Sequence, residues 1–222
     1  MGQRLADGGY YVLLPDMFWR AGRYAPINMA PINMKEAMRD DESRRAAFGK
    51  LRGSTDQTRQ DADSGVFIDW LLSQTAVRGP RVGVTGYCMG AGIALRAAGL
   101  FPDKVAAAAG FHGGRLATDA PDSPHLLASL IRAKVYVGGA DEDAGFPVEQ
   151  ADRLRAALTA AGVANTVEIY AGARHGYVPR DMPAYQEEAA ERHWRELFKL
   201  LGGTLADTFA ETLAEALAEA QR

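Results

Sequence analysis

The chain has 222 residues, 47% hydrophobic and 24% charged, with a formal net charge of −3; this is enough for one well-buried core and is the composition of a soluble globular protein. Mild acidity without a basic stripe argues against a nucleic-acid partner, and no run of membrane-spanning length or signal-peptide pattern points to a membrane. A single cysteine excludes an intrachain disulfide and a cysteine-built zinc site, and it suits a reducing cytoplasm.

Strands and helices are expected to alternate, the pattern of a mostly parallel sheet covered on both faces. Residues 10–14 read as a short apolar strand ending at Pro15-Asp16. The loop at 16–33 holds a local duplication, in which Ala25-Pro26-Ile27-Asn28-Met29 is followed by Ala30-Pro31-Ile32-Asn33-Met34. It is too short for a repeat architecture. Charged helices are expected at about 34–50 and 55–74. Later strands are read at 81–85, 105–110, 133–138 and 165–170, the last with Val167 and Ile169 alternating against Thr166 and Glu168. Pro147 opens a helix that Gly162 closes. A helix at about 183–201 precedes Gly202-Gly203 and an Ala/Glu-rich tail, where Leu205, Phe209, Leu213 and Leu217 form one apolar stripe that needs a surface to pack on. The expected organisation is a domain at 1–201 and a helical tail at 202–222.

Gly86-Tyr87-Cys88-Met89-Gly90 carries the chemistry. It follows the apolar run Arg81-Val82-Gly83-Val84-Thr85 and precedes a helix-prone stretch, the setting of a nucleophile elbow of G-x-S-x-G form with cysteine in place of serine. Such a turn lifts one side chain above the sheet at a helix N-terminus, where a thiol is activated by the helix end and a neighbouring base. A free cysteine is more often a small buried hydrophobe; the strand, the glycines and the helix around Cys88 favour the elbow.

Two further residues complete a set in the chain order nucleophile, acid, histidine. Asp141 follows the strand end at Val137-Gly138-Gly139, and His175 follows the strand end at Tyr170. Loops at the carboxyl ends of parallel strands converge on one crevice, so His175 would take the thiol proton and Asp141 would orient the imidazole. Asp143, in the same acidic cluster, is the alternative acid. His112 could also face the site, whereas His125 and His193 read as ordinary boundary residues. Met89 would offer its backbone N–H to an oxyanion.

With these motifs the chain resembles the dienelactone hydrolase family, a branch of the α/β-hydrolases with a cysteine nucleophile. The matching stretches are Leu13-Leu14-Pro15-Asp16-Met17-Phe18, Gly83 to Gly90, Gly138-Gly139-Ala140-Asp141 and Gly172-Ala173-Arg174-His175-Gly176-Tyr177, within residues 4 to about 201. The resemblance implies a doubly wound α/β-hydrolase sheet and hydrolysis of an ester or lactone, typically one bearing a carboxylate, without metal or organic cofactor. It also implies arginines that hold that carboxylate: Arg20 falls where one is expected, and Arg180 lies near the place of another. Family members carry further strands before the point matching Met1, including one between the strands at 10–14 and 81–85. The loop after that strand supplies an oxyanion donor and a thiol-activating glutamate that no motif here replaces. An N-terminally truncated sheet is therefore expected, prone to self-association through its exposed edge or the tail. A catalytically impaired paralogue that binds small molecules or a partner, and a redox-responsive thiol protein, are the competing readings.

Overall fold

A computed structural model describes residues 1–24 and 42–220, the last of these, from residue 207 on, as helix backbone only. The duplicated stretch at 25–34 and the start of the helix expected from 34 lie outside the described residues, as do the side chains of Phe209, Leu213 and Leu217. The elements in chain order are α1 (Gly2–Asp7), α2 (Glu42–Gly53), α3 (Gln57–Leu72), β1 (Val82–Tyr87), α4 (Met89–Leu100), β2 (Val105–Phe111), β3 (Lys134–Glu142), α5 (Val148–Ala160), β4 (Asn165–Arg174) and α6 (Glu187–Ala220). Short 3-10 turns occupy Trp19–Ala21 and Pro124–Leu130.

The four strands form one parallel sheet in the order β1-β2-β3-β4. Parallel neighbours require crossovers; here they run through α4, the 3-10 turn at Pro124–Leu130 and α5 on one face of the sheet, and α1 and α6 cover the other. Strand alternation divides the core accordingly. Val82, Val105, Ala108, Val135, Val137 and Val167 face Ile68 of α3, Leu95 of α4 and Leu154 and Leu158 of α5. Ala107, Ala109, Phe111, Tyr136 and Tyr170 face Leu5 of α1 and Trp194, Leu197 and Leu201 of α6. β2 is buried along its whole length, and its alanines let helices approach closely: a Cβ on Gly110 would stand 3.1 Å from that of Ala91.

Three expectations are corrected. Residues 10–14 form no strand. A strand needs a ladder, and this run lies across a groove from β1 without pairing to it, with Leu14 82% and Tyr11 47% exposed. β3 and β4 run further than the apolar pattern indicates, to Glu142 and Arg174, because a register shift near Ala140 is followed by renewed pairing of these two residues, whose side chains meet at 3.3 Å. The tail is not set off by Gly202-Gly203: α6 is continuous from Glu187 to Ala220. Packing decides this over glycine's low helix propensity, since Leu201 and Thr204 are buried and Leu205 packs on the sheet.

β1 lies at the margin of the sheet. The Val82 amide donates to Lys104 and the Cys88 amide to Phe111, which turns the backbone groups of Gly83, Thr85 and Tyr87 away from β2. They face an apolar groove of about 800 Å³ between β1 and residues 10–14, walled by Phe67, Ile68 and Leu71 of α3 and by Leu201 and Leu205 of α6.

Candidate active site

The junction of β1 and α4 is a strained elbow. Cys88 holds φ 53° and ψ −119°, a conformation that costs a non-glycine residue of the order of 1–3 kcal/mol and is found at functional sites. The flanking glycines do different work. A Cβ on Gly86 would lie 1.9 Å from the Gly90 carbonyl oxygen, whereas one on Gly90 would meet open space. The exposed thiol stands at the N-cap of α4, where the helix end favours negative charge.

His175 and Asp143 are brought to it. The His175 Nδ1 is 2.7 Å from Asp143 Oδ2, which leaves Nε2 to interact with the Cys88 thiol. Hydrogen bonding to His175 lowers the Cys88 pKa against the opposing effect of burial, and the Met89 backbone N–H acts in the same direction. Hydrogen bonds to Asp143 and Cys88 push His175 up to about 10. Burial alone would raise Asp143, but the hydrogen bonds from His175 and from the Gly145 amide outweigh it and its pKa is lowered. All three shifts favour thiolate, imidazolium and carboxylate together.

The carboxylate that meets His175 is thus that of Asp143, the alternative in the cluster, rather than that of Asp141. β3 continues through Glu142, so Asp141 is still within the strand, where its Oδ2 accepts the Gly172 amide at 3.0 Å and ties β3 to β4. Asp143 is the first residue past the strand and is held in an Asx turn by the Gly145 amide at 2.9 Å; its side chain is 8% exposed. The pattern Asp143-Ala144-Gly145 before Pro147 was the available sequence signal for that turn. The buried Tyr177 hydroxyl donates to the Gly138 carbonyl at 3.0 Å, fixing the histidine loop to the acid's strand.

His112 lies beneath this set, 3% exposed, with its ring 5.2 Å from that of His175. Neither of its ring nitrogens has a hydrogen-bond partner, and burial depresses its pKa to about 3, so it is a neutral floor to the site. Arg20 points elsewhere: it makes a bidentate pair with Asp63, at 2.5 and 2.8 Å, and stacks on Trp19. Arg180 is exposed, and its charge acts on Glu191. Among the described residues no cluster of His, Cys, Asp and Glu could hold a metal, and no helix is long and apolar enough to cross a membrane.

A parallel sheet covered on both faces, with a cysteine elbow after one strand and histidine and acid loops after two others, is an α/β-hydrolase-type architecture. The family model of the dienelactone hydrolase family matches residues 1–205, and the chain belongs to that family. It is 28% identical over 201 residues to a "Putative carboxymethylenebutenolidase" of Methylorubrum extorquens, covering 88% of this chain and 63% of that protein. A protein of the same description from Escherichia coli K12 is 26% identical, with 90% and 70% covered. The chain thus spans about two thirds of the length of these relatives. Among solved structures, a "Putative Dienelactone Hydrolase" from Klebsiella pneumoniae superposes with a TM-score of 0.72 at 23% identity, over 90% of this chain and 78% of that one. A dienelactone hydrolase-like promiscuous phosphotriesterase from metagenomic libraries gives 0.60 at 22% identity, over 72% and 68%.

Proposed function

We propose that this chain is an ester or lactone hydrolase acting through Cys88, His175 and Asp143 on a carboxylate-bearing substrate of the butenolide kind. The Asp143 carboxylate held at 2.7 Å on the His175 imidazole, with the Cys88 thiol presented by a strained elbow beside it, carries the reading, and it favours catalysis over a binding-only role. The thiolate attacks the acyl carbon, and the carbonyl oxygen gathers charge against the Met89 N–H at the start of α4. Collapse of the tetrahedral adduct breaks the acyl C–O bond, the leaving oxygen takes the His175 proton, and a thioester remains. Neutral His175 then removes a proton from water, whose oxygen attacks the thioester; the acid departs and the thiolate returns with the imidazolium. Asp143 holds the ring and stabilises its charged form throughout.

Turnover of a chromogenic aryl ester, lost in Cys88→Ala while the fold persists by circular dichroism, is the expected result. Undiminished turnover in that variant would refute the mechanism.

The groove supports a second, independent reading, self-association. Its floor offers the outward backbone groups of β1, and the same molecule exposes the strand-prone but unpaired run at 10–14. A second copy presenting that run to β1, and receiving one in return, would pair both edges. Sedimentation equilibrium is expected to show a dimer that Tyr11→Lys with Leu14→Lys dissociates; a wild-type monomer at all concentrations would dismiss it.

A further inference from the structure

His175 is presented by a tight turn. The Tyr177 amide donates to the Arg174 carbonyl at 3.1 Å, closing residues 174–177 on themselves, and Gly176 supplies, at φ 92°, the left-handed third residue that a type II turn requires. Asp143 fixes the imidazole ring; the backbone on which the ring is mounted needs a restraint of its own. Gln186 meets that backbone at three points. Its side-chain amide donates to the Gly172 carbonyl at 2.8 Å and accepts from the Arg174 amide at 2.9 Å. Its own backbone amide donates to the Tyr177 carbonyl at 3.1 Å. One residue thus binds the chain both before and after the histidine. β4 is the last strand of the described sheet, so this carboxamide, with one donor and one acceptor in use, stands in for the peptide group that a neighbouring strand would present. The Gln186 carbonyl in turn accepts the Ala190 amide in the first turn of α6, which anchors the clamp to the helix packed along the sheet.

We infer that Gln186 is a positioning residue: its carboxamide and backbone amide hold the turn at 174–177 so that the His175 ring meets Cys88 and Asp143 at once. The inference rests on the hydrolase reading for its effect on turnover, while the thiol–imidazole contact that the clamp maintains can be read without any substrate. Placement of a reacting group is steep in its consequences, since a displacement of about 1 Å can cost about 10²-fold in rate. A side chain that merely fills the same space supplies neither the donor for Gly172 nor the acceptor for Arg174.

Two substitutions separate hydrogen bonding from packing. Gln186→Met keeps the length of the side chain and loses both of its bonds; Gln186→Glu keeps the acceptor for the Arg174 amide and loses the donor to Gly172. The lone cysteine makes the first readout specific. The pH dependence of its alkylation by iodoacetamide reports thiol ionisation, which His175 favours and which burial and the Asp143 charge oppose. The midpoint is expected to rise by about one pH unit in Gln186→Met, a tenfold weaker hold on the thiolate, and by less in Gln186→Glu, the milder change, which carries the test alone if the other variant does not fold. In ester hydrolysis, Gln186→Met should lower kcat about tenfold or more and leave KM unchanged. Leu154→Ala, which opens the core on the opposite face of the sheet, controls for lost stability and should leave the midpoint in place. A wild-type midpoint in both Gln186 variants, or an equal rise in Leu154→Ala, overturns the inference. Failure of the hydrolase reading looks different: no Cys88-dependent ester turnover, with the thiol midpoint still moved by Gln186→Met.

Discussion

The sheet has two margins of opposite character. At the carboxyl ends of the strands, Cys88, His175 and Asp143 converge from three loops and satisfy one another. Along the flank of β1, backbone groups and apolar side chains face a groove that the described chain leaves unfilled. These three residues stand at the ends of β1, β3 and β4, so their arrangement does not involve the far flank of β1. Local completeness of a site and completeness of its sheet are separate properties, and here they are separable by experiment.

The largest effect should come from the elbow. Gly86→Ala drives a methyl into the Gly90 carbonyl and is expected to cost at least about 2 kcal/mol, with loss of turnover, read by denaturant melts and ester assay. Gly90→Ala, where a Cβ meets open space within a helix, should leave both nearly unchanged. Equal damage from both would mean that the elbow is not held by this one contact.

Next comes the acid. Asp143→Asn removes the largest cause of the elevated His175 pKa and should lower kcat by about 10²- to 10⁴-fold. Acylation needs the thiolate and the imidazolium together. Its rate therefore rises as Cys88 ionises, at a pH below that of an ordinary thiol, and falls as His175 deprotonates near 10. In Asp143→Asn the alkaline limb should move to lower pH. Asp141→Asn, which loses only a bond to the Gly172 amide, should keep the wild-type profile; the reverse pattern would restore Asp141 as the acid.

A further effect, on stability rather than turnover, concerns the whole core. His112 and His193 are buried and neutral, with pKa values depressed to about 3 and about 4 from 6.5. Below pH 6.5 the unfolded chain takes up protons that the folded one refuses, so stability falls with acidity between 6.5 and those values, by up to about 1.4 kcal/mol per pH unit for each histidine. Urea melts across that range should show the slope, reduced in His112→Phe if that variant folds. A flat profile would place the protonation elsewhere.

The elbow and four of the five expected strands were legible because β-branched runs, a glycine pair and a following helix are local signals. That Asp143 rather than Asp141 meets His175 was not legible because strand length was not local: the pairing of Glu142 with Arg174 after a register shift carries β3 past its apolar segment. The run at 10–14 has strand composition, but composition does not supply a ladder partner. Arg20 matched a motif by position, while its commitment to Asp63 is a long-range contact.

α6 covers the sheet on one face and, through Leu201 and Leu205, also walls the groove. A Cβ on Gly83 would lie 2.3 Å from the Leu201 Cδ2 atom, so the bare backbone of β1 is the seat on which this wall rests. Anything that enters the groove therefore presses on a helix that continues to Ala220, and amide hydrogen exchange along that helix becomes a gauge of whether the groove is occupied, readable without touching either the nucleophile or the occupant.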